Sequence, residues 1–287
     1  MTTIRRTDDE LETLVAGGRA AQPRALIVTV YGLYAREVGG WLSVSVLIRL
    51  LFELGVDEPA VRSAISRLKR RGLLEPERRH GLAGYALSPS GRDVLDEGDQ
   101  RIFHQPGASL SDGWLLAVFS VPESERQRRH TLRSRLTWLG FGTAAPGVWV
   151  APAHLYETTR TTLERYGLDQ YVNLFRADHL AFGSISEAIG SWWDLAGLRA
   201  LYDDFSITYR PVLAKWRRRN STSHGAEAFA DWVRALTAWR RLPYLDPGLP
   251  HEVLPDDWNG TAAATLFHDL RERLSRPAHD YVTSVTT

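Results

Sequence analysis

The chain has 287 residues, 44% of them hydrophobic, a formal net charge of +1 and no cysteine. That length suits two or three domains with real cores. The lack of cysteine excludes disulfides, thiolate catalysis and cysteine metal sites, and is compatible with a reducing cytoplasm. No apolar run approaches the roughly 20 residues that span a bilayer, and residues 1–22 lack the apolar centre of a signal peptide.

Residues 1–22 show little periodicity, carry Gly17 and Gly18, and are expected to form a flexible arm. From Pro23, the run P-R-A-L-I-V-T-V-Y-G-L-Y-A-R-E puts Leu26, Ile27, Val30, Leu33 and Tyr34 on one helical face, although its Val, Ile and Thr also suit a strand. Gly39, Gly40 and Trp41 break the pattern. Ser43 then caps a second predicted helix, with Val46, Leu47, Leu50, Leu51 and Leu54 inward and Gly55 as its stop.

The next helix carries the strongest functional signal. Asp57 is a good N-cap, and Pro59 is tolerated in a first turn whose amides lack partners anyway. Val61, Ile65 and Leu68 recur at the spacing of one buried stripe, while Arg62, Ser63, Ser66, Arg67 and Arg70 fall on other faces. A stop is expected near Gly72. Glu58 to Gly81 holds seven Arg or Lys against three Glu, a local excess of four in a nearly neutral chain. A helix entering the major groove needs cations for phosphates and short or forked polar groups for base edges. A solvated basic face is the competing reading of such a run.

Context separates the two readings. Helix, short glycine-containing turn, then a helix with exposed basic residues is the helix-turn-helix arrangement. The stretch Leu73 to Ser88 reads as a hairpin with Gly81 and Gly84 in or near its turn, and a basic hairpin after a recognition helix is a wing. Arg78, Arg79 and His80 would lie near the phosphate backbone or a minor groove. A helix from Ser88 to Phe103 closes this unit, and Gln105 to Asp112 reads as a linker.

After Gly113 the predicted order is strand (W-L-L-A-V-F-S-V-P), arginine-rich helix (Ser124 to Gly140), strand pair, helix (His154 to Tyr166) and strand (Gln170 to Ala177), which matches a ferredoxin-like α+β domain. From Ser184 the pattern is helical. One apolar face from Leu195 to Tyr209 is expected to be interrupted at Pro211; another contains Phe229, Trp232, Val233 and Leu236. A proline-dense connector leads to a final helix with Leu266, Phe267, Leu270 and Leu274 inward. The expected fold class is therefore α+β multidomain: arm 1–22, winged helix 23–104, ferredoxin-like domain 113–183, and helical domain 184–287.

Three stretches together resemble the PaaX family of bacterial transcriptional repressors. They are P-R-A-L-I-V-T-V-Y-G through R-R-H-G-L-A-G-Y-A-L-S; G-W-L-L-A-V-F-S-V-P with L-R-S-R-L-T-W-L-G-F-G and G-V-W-V-A-P; and R-R-L-P-Y-L-D-P-G-L-P with L-P-D-D-W-N-G. The resemblance implies a cytoplasmic homodimer that represses aromatic catabolism from an operator, released by an acyl-coenzyme A such as phenylacetyl-coenzyme A. An inverted repeat is the expected operator form.

The residues taken for DNA contact are Arg62, Ser63, Ser66, Arg67, Arg70, Arg78 and Arg79. Trp192, Trp193, Tyr202 and Tyr209 either line an effector pocket or belong to the core. The arginines from Arg126 to Arg135 suit a solvated face or a dimer contact, a second nucleic-acid patch, or the phosphates of coenzyme A. Lys215, Arg217, Arg218 and Arg219, beside the loop Asn220 to Gly225, carry the same alternatives. A protein-interaction module that uses its winged helix as a scaffold is one alternative; an enzyme is the competing class, because the middle segment also resembles the fold of small CRISPR-associated metal-dependent nucleases. Those place an aspartate at the end of their first strand, where this chain has Ser120 and Val121. With no catalytic motif of another class, no cofactor and no metal site are expected.

Overall fold

The computed structural model describes residues 22–103, 107–180, 182–219 and 224–286. The expected arm 1–22 lies outside them apart from Gln22, as do parts of the 105–112 linker and the 220–225 loop. The described residues form two compact units that interleave along the chain. One comprises those of Met1–Phe103, Tyr202–Arg241 and Gly260–Thr287; the other comprises those of His104–Leu201 and Leu242–Asn259. The sequence expectation cut the chain into consecutive segments; these units instead return the late helices to the first segment.

In the first unit, helix α1 (Pro23–Val30) continues through a π-helical turn, Tyr31–Ala35, and a 3-10 turn, Arg36–Val38. The apolar run is therefore helical, not a strand, and every residue from Ala25 to Tyr31 is buried. Strand β1 (Trp41–Ser43), where only a break was expected, precedes α2 (Val44–Glu53) and α3 (Glu58–Arg70). Strands β2 (Leu74–Arg79) and β3 (Leu82–Leu87) form a hairpin, and α4 (Pro89–Phe103) follows. The antiparallel sheet has the order β1-β3-β2, with Trp41 opposite Ala86 and Leu74 opposite Leu87.

Gly81 sits in the hairpin turn with φ 80°, next to His80 at φ 52°. Gly84 lies inside β3, away from the turn, for a different reason: a Cβ there would lie 2.4 Å from the Trp41 ring and 2.5 Å from the Leu42 carbonyl. The ring lies where a side chain would be, and its Nε1 donates to the Glu77 carbonyl at 3.1 Å.

The late helices supply the rest of this core. Helix α8 (Leu195–Arg217) runs through Pro211 without the expected interruption. Pro211 and Ile207, whose carbonyl loses its amide partner, are both exposed, so water can replace the missing bond. Its stripe of Tyr202, Phe205, Tyr209, Leu213 and Trp216 is buried. The Trp239 ring of α9 (Gly225–Trp239) stacks on Phe267 of α11 (Gly260–Thr286) at 4.7 Å. Thr29 of α1 shares a buried 2.8 Å hydrogen bond with Thr237, and Arg240 donates to the Ala25 carbonyl at 3.2 Å.

The second unit runs β4 (Trp114–Phe119), α5 (Arg126–Trp138), β5 (Gly142–Ala145), β6 (Val148–Pro152), α6 (Tyr156–Tyr166), β7 (Val172–Ala177) and α7 (Ile185–Trp192). Its four-stranded sheet has the order β5-β6-β4-β7, antiparallel throughout. Side chains alternate along β4. Leu115 and Ala117 face a core with Leu132, Leu136, Leu163 and Tyr166 from α5 and α6. Trp114 faces the other way, against Ile189, Leu249 and Val253. The proline-dense connector, which includes α10 (Leu242–Leu245), thus covers a sheet face with Leu249 and Val253.

Candidate nucleic-acid interface

Helix α3 begins as its sequence dictates. The Asp57 carboxylate accepts from the Ala60 amide at 2.8 Å, and Pro59 occupies the first turn. Val61, Ala64, Ile65 and Leu68 are buried, and each such side chain contributes about 1.5 to 3 kcal/mol, less for alanine. The helix ends at Arg70, and Gly72, with φ 74°, leads into β2. Helix α2 precedes it, capped by Ser43 Oγ accepting from the Val46 amide at 3.2 Å, and Gly55 takes φ 74° in the turn between the two.

This packing turns the opposite face outward. Arg62, Ser63, Ser66, Arg67, Lys69 and Arg70 are all exposed. Arg62 pairs with Glu58 one turn back at 2.7 Å, an exposed pair of little energetic weight that a phosphate can displace. Among the described residues, Arg67, Lys69 and Arg70 have no carboxylate partner.

The structure adds a residue that the sequence pattern missed. Arg24 lies in the first turn of α1, which packs against α3. Burial, and then the charges of Arg71 and Arg67, push its guanidinium below its ordinary value. Arg24 therefore enlarges the cationic surface at the C-terminal end of α3. The signal available in the sequence was only a basic residue at the start of a helix that had to cross α3.

The two hairpin arginines differ. Arg78 is exposed and donates to the Gly81 carbonyl at 3.2 Å. Arg79 lies on the other side of the strand, 5.7 Å over the Trp41 ring, and bonds Glu77 at 2.7 and 3.1 Å. That bond raises the Arg79 pKa and lowers that of Glu77. Arg79 thus pins the hairpin to β1, and Arg78 is the cation left facing outward.

The four aromatic candidates fall in different units. Trp192 and Trp193 are half-buried against Trp114, with ring centroids 6.1 and 6.3 Å away. Trp193 Nε1 also donates to the Gly140 carbonyl at 2.9 Å. Tyr202 and Tyr209 are buried in the helical core of the other unit, beside Trp239 and Phe205 respectively. Burial pushes the Tyr209 phenol up to about 12. Among the described residues, no group of three or more His, Asp or Glu side chains is placed to hold a metal ion.

Three family models match successive parts of the chain: the PaaX-like protein model over residues 22–91, the PaaX protein central Cas2-like domain over 107–189, and the PaaX-like protein C-terminal domain over 193–284. The chain belongs to the PaaX family. A PaaX relative, the "Transcriptional repressor PaaX" of Escherichia coli (strain K12), is 27% identical over 282 residues, covering 95% of this chain and 88% of that protein. Among solved structures, the uncharacterized protein Rv0674 from Mycobacterium tuberculosis matches with a TM-score of 0.58 and 23% identity, covering 88% of this chain and 99% of that one. That second likeness speaks for the fold alone. The PaaX central model spans β4 to β7, the sheet whose order was given above.

Proposed function

We propose that the chain is a transcriptional repressor of an aromatic-acid catabolic operon, acting on duplex operator DNA through a winged helix formed by α1 to β3. The observation that carries this reading is the outer face of α3: exposed arginines and serines that, among the described residues, have no carboxylate partner beyond Glu58, opposite a fully buried stripe. The repressor from Escherichia coli, similar along nearly the whole chain, supports it.

In this reading α3 lies in the major groove. Arg62, Ser63, Ser66, Arg67 and Arg70 face base edges and nearby phosphates; Arg24 and Arg78 hold the backbone on either side. Arg79 acts indirectly, by fixing the hairpin. The sheet order β5-β6-β4-β7 supports a ferredoxin-like middle domain. A homodimer would place two α3 helices on an inverted repeat, with half-sites a whole number of helical turns apart. The effector is an aryl-acyl-coenzyme A, with phenylacetyl-coenzyme A as the first compound to try.

The test is fluorescence anisotropy of the full chain on a duplex carrying the inverted repeat of its own promoter, beside a scrambled duplex. Tight binding to the first, weakened by salt and reversed by phenylacetyl-coenzyme A, is the expected result. Arg62→Ala should narrow the gap between the two duplexes, and Arg78→Ala should weaken both equally. Equal affinity for both duplexes in the unaltered protein would defeat the reading.

A further inference from the structure

A second cationic feature lies on the middle unit and is not explained by operator recognition. Where β4 ends, the chain leaves a concavity of about 510 Å³ walled by Ser120, by Arg129 and Arg133 of α5, and by Thr143, Gly147 and Trp149 from the β5–β6 hairpin. Its size falls within that of small-molecule sites. Gly147, with φ 78°, makes the turn that forms one wall, and a Cβ there would come within 3.0 Å of the Phe119 carbonyl.

The two charged residues that line this concavity are both arginines. Arg129 and Arg133 stand one helical turn apart, so both side chains rise from the same face of α5. Arg129 is fixed in place, donating to the Val121 carbonyl at 2.7 Å and to Glu123 at 2.9 Å. Arg133 is exposed and, among the described residues, has no ion-pair or hydrogen-bond partner. Two guanidinium groups thus face one carboxylate, with the hydroxyls of Ser120 and Thr143 close by as neutral donors. A fold-related nuclease would need a carboxylate at the end of this strand to hold a cation. Ser120 stands there with arginines around it, so the site has the opposite polarity.

We infer that this concavity binds the phosphate groups of a small molecule bearing a phosphate anhydride. Arginine pairs hold such groups through charge-assisted, forked hydrogen bonds. A nucleoside diphosphate and coenzyme A share this chemistry. If coenzyme A is the source, the site holds the head of the effector proposed above, and that link alone rests on the repressor reading.

Isothermal titration of the full chain with inorganic pyrophosphate, ADP and coenzyme A tests the inference. Saturable binding that weakens with salt is expected, reduced at least tenfold by Arg133→Glu and largely kept by Arg133→Lys. Arg126→Glu, on the same helix outside the concavity, should leave it unchanged, and circular dichroism establishes that each variant is folded. Tighter binding of coenzyme A than of ADP identifies the effector as the source; equal binding identifies a nucleotide. The inference is overturned by no saturable binding of any of the three, by equal losses from Arg126→Glu and Arg133→Glu, or by binding only of a single-stranded oligonucleotide. Arg133→Glu should keep its operator affinity. Failure of the unaltered protein to bind the operator would strike the repressor reading and leave the pyrophosphate titration standing.

Discussion

Helices α3 and α5 invite comparison because each is 13 residues long and rich in arginine. On α5 most of that charge is used within the unit. Arg135 is buried 4.3 Å over the Tyr166 ring, Arg128 donates to the Tyr166 carbonyl, and Arg129 is bound to Val121 and Glu123. On α3 the arginines project from a face whose only carboxylate partner among the described residues is Glu58. Counting arginines would favour α5, with five against three on α3; what reverses the ranking is how many guanidinium groups the fold itself has already satisfied. The same test sets aside three of the four cations at the end of α8, leaving Arg218 exposed. There Lys215 bonds Glu227 and Asp231, Arg217 pairs with Asp269 at 2.7 Å, and Arg219 pairs with Glu227 at 2.6 Å.

The sharpest way to break the contrast is to remove the seat of α3. Leu68→Ala leaves a hole under the helix and should cost about 2 to 5 kcal/mol, read as a lowered urea midpoint together with loss of operator binding. Next in size, Arg67→Ala and Arg70→Ala should each weaken operator binding by about ten- to hundredfold if they read bases, at about 1 to 3 kcal/mol per contact. Arg126→Ala and Arg128→Ala on α5 should leave the anisotropy curve in place; an equal loss from both helices would erase the distinction. Asp57→Ala should cost about 1 kcal/mol by freeing the first-turn amides of α3, visible as a small drop in thermal midpoint.

A last effect is read in pH. Burial raises the phenols of Tyr31, Tyr34 and Tyr209 in the first unit, the last to about 12. Unfolded, these groups ionise near pH ~10, so above that value the folded state holds more protons than the unfolded one. Their contribution is complete below about pH 10 and declines as the pH rises toward the folded values. Urea midpoints measured across that window should fall, and Tyr209→Phe should flatten the decline.

Much of α3 was legible because its signals are local. An aspartate before a proline, an apolar residue every three or four positions and a glycine at the end suffice to fix a helix and its faces. The buried strand β4 and the Ser43 cap were readable for the same reason. What escaped depends on partners distant in sequence. Nothing near Gly84 announces that Trp41 will lie over it, and nothing near Arg79 says that its guanidinium will settle on that ring instead of facing outward. Arg24 joined the cationic face only once α1 had crossed α3. Pro211 misled because the rule against proline in helices assumes a carbonyl cut off from water, and that of Ile207 lies on the exposed side. The grouping of α9 and α11 with α1 was hidden altogether, since apolar faces state that they are buried without naming their neighbours.

That last grouping bears on how portable the segment carrying α3 and its hairpin is. The Thr29–Thr237 bond and the hold of Arg240 on the Ala25 carbonyl tie α1 to residues more than 200 positions away. A fragment ending at Phe103 would carry α3 and its hairpin intact in sequence yet leave the back of α1 bare. Engineers seeking to transplant α3 and its hairpin would have to take both ends of the chain, and evolution, faced with the same wiring, could not easily shuffle this segment as an independent cassette.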